Sequence, residues 1–254
     1  MRVLVFGAHP DDMEIGMGGT IAKHSAAGDD VIMVIATVPS KRDERTSESH
    51  ESARVLGARL ELLDISPDDL GFNRRTTKEF DRIFAAVDPH LVYTHWDQDS
   101  HQDHAAVARA VIAAGRKNRC SLLMYEQTIP GGVVPGGFKA QSFVDISDFI
   151  DRKTQAILIH RTQIEMNGGD WWLEGLRGRA MYRGYQINVR FAEAFEVVKE
   201  IEVHFSSSRP ARPAVSRDPR RHDGRHQVED ARDRAGPLAS QAERQHAPTR
   251  TPER

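Results

Sequence analysis

Five short apolar runs, separated by stretches of helical period, constrain this chain to one kind of architecture over its first 125 residues. Arg2–Ala8, Val31–Val38, Leu60–Ile65, Leu91–Thr94 and Ser121–Tyr125 are predicted as strands. Between them, Gly18–Ala27, Glu48–Leu56, Thr76–Val87 and Gln102–Ala114 are predicted as helices, stopped by Gly28, Gly57, Asp88-Pro89 and Gly115. Strands that are apolar throughout, rather than alternating, are buried on both faces. Parallel strands joined by helices meet that requirement, so the predicted fold class is α/β, a mostly parallel sheet with helices on both faces. Beyond Thr128 the pattern loosens. Ile129-Pro130-Gly131-Gly132 and Pro135-Gly136-Gly137 read equally as a mobile lid or as an ordinary surface connection. Phe149–Arg161 and Phe191–Lys199 are predicted as helices, and Trp171-Trp172 either packs in the core or stacks on a sugar.

The charge divides the chain. Ser206–Arg254 holds 11 Arg, no Lys and 7 acidic residues, a net of +4, whereas the first 205 residues carry 24 basic and 30 acidic groups, a net of −6. The tail also contains six of the 12 prolines and no Phe, Tyr or Trp. So little apolar surface cannot offset the entropy of ordering, and 206–254 is expected to be a disordered Arg/Pro-rich tail behind one domain, 1–205. Its charges alternate in sign, which favours a solvated tail over an RNA-binding arm, and its abrupt all-Arg onset also fits a shifted reading frame. A domain at −6 has no electrostatic footprint for nucleic acid. No segment approaches the roughly 18 uncharged apolar residues of a membrane span, Val3–Ala8 is too short for a signal peptide, and the single Cys120 excludes an internal disulfide. Cytoplasmic residence, with neither a nucleic acid nor a membrane as partner, is the expectation; the oligomeric state is open to a homo-oligomer.

Two His/Asp clusters follow two of the strands: Gly7-Ala8-His9-Pro10-Asp11-Asp12-Met13-Glu14 after the first, and Asp99-Ser100-His101-Gln102-Asp103-His104 after the fourth. In open α/β sheets ligands bind beyond the carboxyl ends of the strands where strand order reverses, a point the first and fourth strands commonly flank. One hydrolytic metal site built from both clusters is therefore expected. Imidazole nitrogen and carboxylate oxygen suit zinc, which in such sites keeps one position open for water. His9 and Asp12, three apart on a turn, can face one point, while Asp11 projects differently. A carboxylate beside the metal can take a proton from water acidified by it, so Asp12 reads as ligand and Asp11 as general base. Of His101 and His104, on one face of a helix start, one can complete the shell and the other reach a substrate carbonyl. Asp103 can orient a histidine, and Asp99 can cap the helix, the more ordinary role for both. Gly18-Gly19-Thr20 lacks the Lys of a P-loop and reads as backbone clearance and a helix start.

Ala8-His9-Pro10-Asp11-Asp12-x-Glu14 with Gly18-Gly19-Thr20, followed by His101-x-Asp103-His104, resembles the LmbE-like (PIG-L) zinc-dependent N-acetylglucosaminyl deacetylases. Arg45-x-x-Glu48 ahead of Leu56-Gly57, Lys153 through His160-x-x-Gln163, and Ala192-Glu193-Ala194-Phe195 are further, weaker matches, so the resemblance spans Met1 to about Ile201. It implies a Rossmann-like fold for 1–205 and a zinc ion, with ferrous iron as the alternative, held by His9, Asp12 and His104. It further implies Asp11 as base, His101 stabilising the tetrahedral intermediate with Asp103 behind it, and Arg45 contacting the substrate sugar, with Arg42, Arg54 and Arg59 as competitors for that role. The expected activity is removal of the N-acetyl group from a small GlcNAc-containing molecule (glycoside, thiol precursor or antibiotic intermediate). The rivals are a non-catalytic sugar-binding protein on the same fold and a metal-dependent esterase or phosphatase.

Overall fold

The structure, a computed structural model, describes residues 1–127 and 136–201. Its centre is a seven-stranded sheet. Four βα units run in sequence: β1 (Arg2–Gly7), α1 (Asp12–Ala26), β2 (Asp30–Ile35), α2 (Arg42–Leu56), β3 (Arg59–Leu62), α3 (Arg74–Val87), β4 (Leu91–His95) and α4 (Gln102–Gly115). Then follow β5 (Ser121–Tyr125), β6 (Ser142–Asp145), α5 (Ile150–Ile159), α6 (Arg161–Asn167), α7 (Asp170–Gln186) and β7 (Ala192–Lys199). The sheet order is β3-β2-β1-β4-β5-β7-β6, with β1 to β5 parallel and β7 antiparallel to both of its neighbours. Strand order reverses between β1 and β4, the two strands that carry the His/Asp clusters.

The continuous apolarity of the strands has the expected cause. Successive side chains point to opposite faces, so one strand supplies two cores. Leu4 and Phe6 of β1 and Ile32 and Val34 of β2 pack with Phe80 and Phe84 of α3 and Val107 and Val111 of α4. Val3 and Val5, with Val31, Met33 and Ile35, pack on the other face with Met13, Met17 and Ile21 of α1, Leu56 of α2 and Ala156 of α5.

Two departures concern the second half. The segment expected as a helix over Phe191–Lys199 is strand β7, paired with β5 and β6. Its Ala- and Glu-rich composition favours a helix, but two flanking ladders outweigh a local propensity of tenths of a kcal/mol per residue. The helix expected over Phe149–Arg161 breaks at His160 (φ −76°, ψ 63°) and resumes as α6. At the front of the molecule, α1 starts at Asp12 and not Gly18, but it is kinked where Met17 leaves helical geometry (φ −151°, ψ 27°). The helix restarts at the Gly-Gly pair, where the Glu193 carboxylate accepts from the N–H groups of Gly19 (3.0 Å) and Thr20 (2.6 Å). An added Cβ at Gly19 would lie 2.7 Å from Ile146, so the pair provides clearance. The segment 206–254, the boundary before it, and Ile129–Gly132 and Pro135 of the Gly/Pro-rich stretch lie outside the described residues.

Candidate active site

The turn between β1 and α1 is pinned by five backbone hydrogen bonds. Ala8 N–H donates to His95 Nε2 (2.9 Å), Ala8 C=O accepts from Thr37 N–H (2.9 Å), and His9 N–H donates to Asp12 Oδ2 (2.7 Å). Pro10 C=O accepts from Arg45 Nη2 (3.2 Å), and Asp11 C=O begins the helix by accepting from Ile15 N–H (3.0 Å). These bonds hold Asp11 in the left-handed region (φ 88°, ψ −23°), a conformation that costs a non-glycine residue on the order of 1 kcal/mol and persists where surroundings over-determine it.

Both clusters meet at one cavity of about 310 Å³, whose polar end is formed by His9, Asp11, Asp12, His101 and His104. The rings of His9 and His104 are 5.5 Å apart, and His101 lies 5.0 Å from His9 and 4.4 Å from His104. Asp12 is the hub: His104 Nε2 is 3.3 Å from its Oδ1, and His9 Nδ1 is 3.6 Å from its Oδ2. The far nitrogen of each ring faces a second carboxylate, His9 Nε2 on Asp103 Oδ2 (2.9 Å) and His104 Nδ1 near Asp99 Oδ2 (3.2 Å). Such carboxylate–histidine pairs fix ring orientation in metal sites.

Asp103 is thus set against His9, where the expectation has it behind His101; His101 instead caps α4, its Nδ1 accepting from Asp103 N–H (3.2 Å). Asp99 does not cap the helix. Its Oδ1 accepts from His101 N–H (2.8 Å), which turns Oδ2 toward His104.

Among the described residues, two sets bring metal-type donor atoms within 4.8 Å of one another: His9, His101 and His104, and Asp12, His95 and His104. The expected triad of His9, Asp12 and His104 draws on both. His95 is the residue the sequence reading missed: it ends β4, one residue past the predicted strand, and is wholly buried. Its Nε2 lies between Ala8 N–H (2.9 Å) and Asp12 Oδ2 (3.1 Å), so it braces both the turn and the Asp12 carboxylate. The residues fit a divalent cation on two counts. His104 Nε2 is buried and makes no hydrogen bond, and the donors are imidazole nitrogen and carboxylate oxygen.

The electrostatics agree. Burial pushes the Asp11 carboxyl up to about 7, reinforced by the neighbouring Asp12 charge and opposed by His160 and Arg45. Burial also opposes charge on Asp12, but His104 and His95 outweigh it and hold Asp12 well below the usual carboxylate range. His9 is raised to about 9: burial works against its charge, and the bonds to Asp103 and Asp12 overcome it. His104 is raised to about 10, with burial again outweighed, chiefly by Asp12. A field that draws protons onto these imidazoles also draws a metal cation that would displace them.

Arg45 separates itself from its rivals. It is 5 % exposed, lines the cavity, and stands 3.7 Å from Asp11 Oδ1, whereas Arg42 and Arg59 are exposed and paired with Asp64 and Asp30. Gln163 of α6 backs it, its carboxamide oxygen accepting from Arg45 Nε and Nη2 at 3.3 Å. The tryptophan pair splits: Trp172 packs with Ile15, Ile157 and Leu176 and lines the cavity, while Trp171 is 71 % exposed. Behind Asp11, Glu14 is wholly buried and accepts from Ser52 Oγ (2.6 Å) and His160 Nε2 (3.0 Å).

Comparison with known proteins gives consistent relatives. The family described as PIG-L, GlcNAc-PI de-N-acetylase, matches residues 4–115. A diacetylchitobiose deacetylase of Thermococcus kodakarensis is 30% identical over 227 residues, 80% of this chain and 85% of that protein. Among solved structures, the conserved protein TT1542 of Thermus thermophilus superposes with a TM-score of 0.69 at 26% identity, covering 82% of this chain and 98% of that one. The N,N'-diacetylchitobiose deacetylase of Pyrococcus horikoshii, bound to an inhibitor, gives 0.64 at 28% identity, covering 77% and 83%.

Proposed function

Because this chain belongs to the PIG-L (LmbE-like) family, we propose that it is a zinc-dependent hydrolase that removes the N-acetyl group of a small GlcNAc-containing molecule, releasing acetate and a free amine. The observation that carries this reading is the convergence of His9 Nδ1 and His104 Nε2 on one Asp12 carboxylate, with Asp11 in the same cavity wall. His9, Asp12 and His104 would hold the ion. When bound, a zinc ion supplies Lewis acidity and makes water more acidic, toward a pKa of about 7.

The chain's own groups do the rest. Asp11 accepts the proton of the attacking water, its carboxylate held in reach by the pinned turn and by Arg45. The water oxygen bonds to the acetyl carbon as the carbonyl becomes an oxyanion. His101, lining the same cavity, donates to that oxygen. The carbon–nitrogen bond then breaks, and the amine nitrogen takes a proton from Asp11 or His101. Trp172 and Arg45 line the same cavity, which suits the one to pack against a sugar ring and the other to hydrogen-bond it. A small-molecule partner fits the cavity's size, and among the described residues no helix is long and apolar enough to cross a membrane.

Acetate release from a panel of N-acetylglucosamine conjugates tests the reading. Release is expected with zinc, lost on chelation and restored by adding zinc back. A zinc-loaded protein that deacetylates no member of the panel refutes it.

A further inference from the structure

Gln127 follows β5 by two residues, at the same end of the sheet as both clusters, and no motif marks it. Its side chain is 4 % exposed and borders the cavity. Nε2 donates to Asp12 Oδ1 at 2.9 Å, the same oxygen that faces His104 Nε2 at 3.3 Å. Its Oε1 makes no hydrogen bond among the described residues, so the contact with Asp12 is what orients the amide. The reverse orientation would set two acceptors against each other.

Asp12 is therefore held at both oxygens, Oδ2 also lying 3.1 Å from His95 Nε2. Oδ2 accepts from His9 N–H in its own turn, and Oδ1 accepts from a strand end 115 positions away in sequence. With both oxygens bonded, the carboxylate plane cannot rotate without breaking a buried hydrogen bond. A carboxamide suits the task because it donates without charge. A carboxylate in its place would repel Asp12, and an ammonium would neutralise the negative charge that a cation needs.

We propose that Gln127 is a positioning residue that locks the Asp12 carboxylate in the orientation from which it binds a divalent cation. The inference rests on the metal site proposed above, and the test separates the two. Zinc affinity is measured by competition with a chromophoric chelator on the full chain, for the wild type and for Gln127→Met, Gln127→Lys and Gln127→Asn. Melting of each zinc-stripped protein shows whether the variants fold.

The wild type is expected to bind one zinc ion. Gln127→Met keeps the volume and loses the donor, so affinity should fall about 10- to 100-fold, the range for partners that orient metal ligands. Gln127→Lys keeps a donor but adds a positive charge and should bind most weakly. A residue that only fills space would leave Gln127→Met at the wild-type affinity. Gln127→Asn is too short to reach Asp12 and serves as the second donor-loss variant should Met fail to fold. If the wild type binds zinc and the folded donor-loss variants match it within twofold, this inference is overturned while the metal site stands. A wild type that binds no zinc overturns both.

Discussion

His9 Nε2 donates to Asp103 Oδ2 across 2.9 Å, tying the turn after β1 to the first turn of α4 over 94 positions of sequence. The bond uses the ring nitrogen that faces away from Asp12 and so leaves Nδ1 toward the Asp12 carboxylate. It also ties together the elements on either side of the strand-order reversal, so the two clusters are held to each other as well as to the sheet.

Asp103→Asn keeps the shape of that contact and removes its charge. The His9 ring then loses the partner that holds it and strengthens its donor nitrogen. Zinc affinity is expected to fall about 10- to 100-fold with the melting temperature of the zinc-stripped protein little changed. Chelator competition reads the first and calorimetry the second; unchanged affinity would show that the pair is structural only.

Asp11→Asn should separate chemistry from metal binding. Asp11 is the buried carboxylate of the turn whose proton affinity burial raises, despite His160 and Arg45, and that suits a base. Turnover is expected to fall about 10²- to 10⁴-fold, with the zinc-to-protein ratio unchanged. His9→Ala should instead lose the metal. Elemental analysis beside acetate release distinguishes the two, and an active Asp11→Asn enzyme would reject the assigned base.

Lys153 and Glu193 form an ion pair at 2.5 Å between α5 and β7, both nearly wholly buried. Lys153 also donates to Ile15 C=O at 2.9 Å, which leaves that carbonyl satisfied beside the kink of α1. Lys153→Met would strand the Glu193 carboxylate and is expected to cost about 3–5 kcal/mol. Adding Glu193→Gln should recover part of the loss by removing the unpaired charge, but only part, because Gly19 and Thr20 donate to different carboxylate oxygens and the single amide oxygen can keep one of those bonds. Denaturant midpoints of the single and double variants measure the coupling.

Gly16 has no room for a side chain. A Cβ there would sit 2.3 Å from Cδ2 of Tyr125, which is fully buried and tied by its hydroxyl to Phe6 C=O at 2.8 Å. Gly16→Ala is expected to destabilise by about 1–3 kcal/mol. A melting temperature equal to that of the wild type would mean the Tyr125 ring can move aside.

Particular residues show which features were readable. The strands β1 to β5 could be read because each is a run of apolar residues buried on both faces, a signal carried within a few positions. The His9–Asp12 turn could be read for the same reason: its spacing puts two side chains on one point whatever surrounds it. His95 was not readable, since a lone histidine at a strand end looks like any other until the neighbouring strand places Ala8 N–H upon it. Asp99 looked like a helix cap because nothing local distinguishes a carboxylate that caps from one that faces His104.

Short-range pattern thus decided the parallel α/β core and which two strand ends carry imidazoles and carboxylates. Tertiary structure decided that Phe191–Lys199 is a strand, that Asp103 serves His9, and that Gln127 reaches Asp12. The physical reason is distance along the chain: Glu193 meets Gly19 across 174 positions and Gln127 meets Asp12 across 115. Local propensities differ by tenths of a kcal/mol, while a buried ladder or ion pair outweighs them several-fold, and such partners exist only once the sheet has formed.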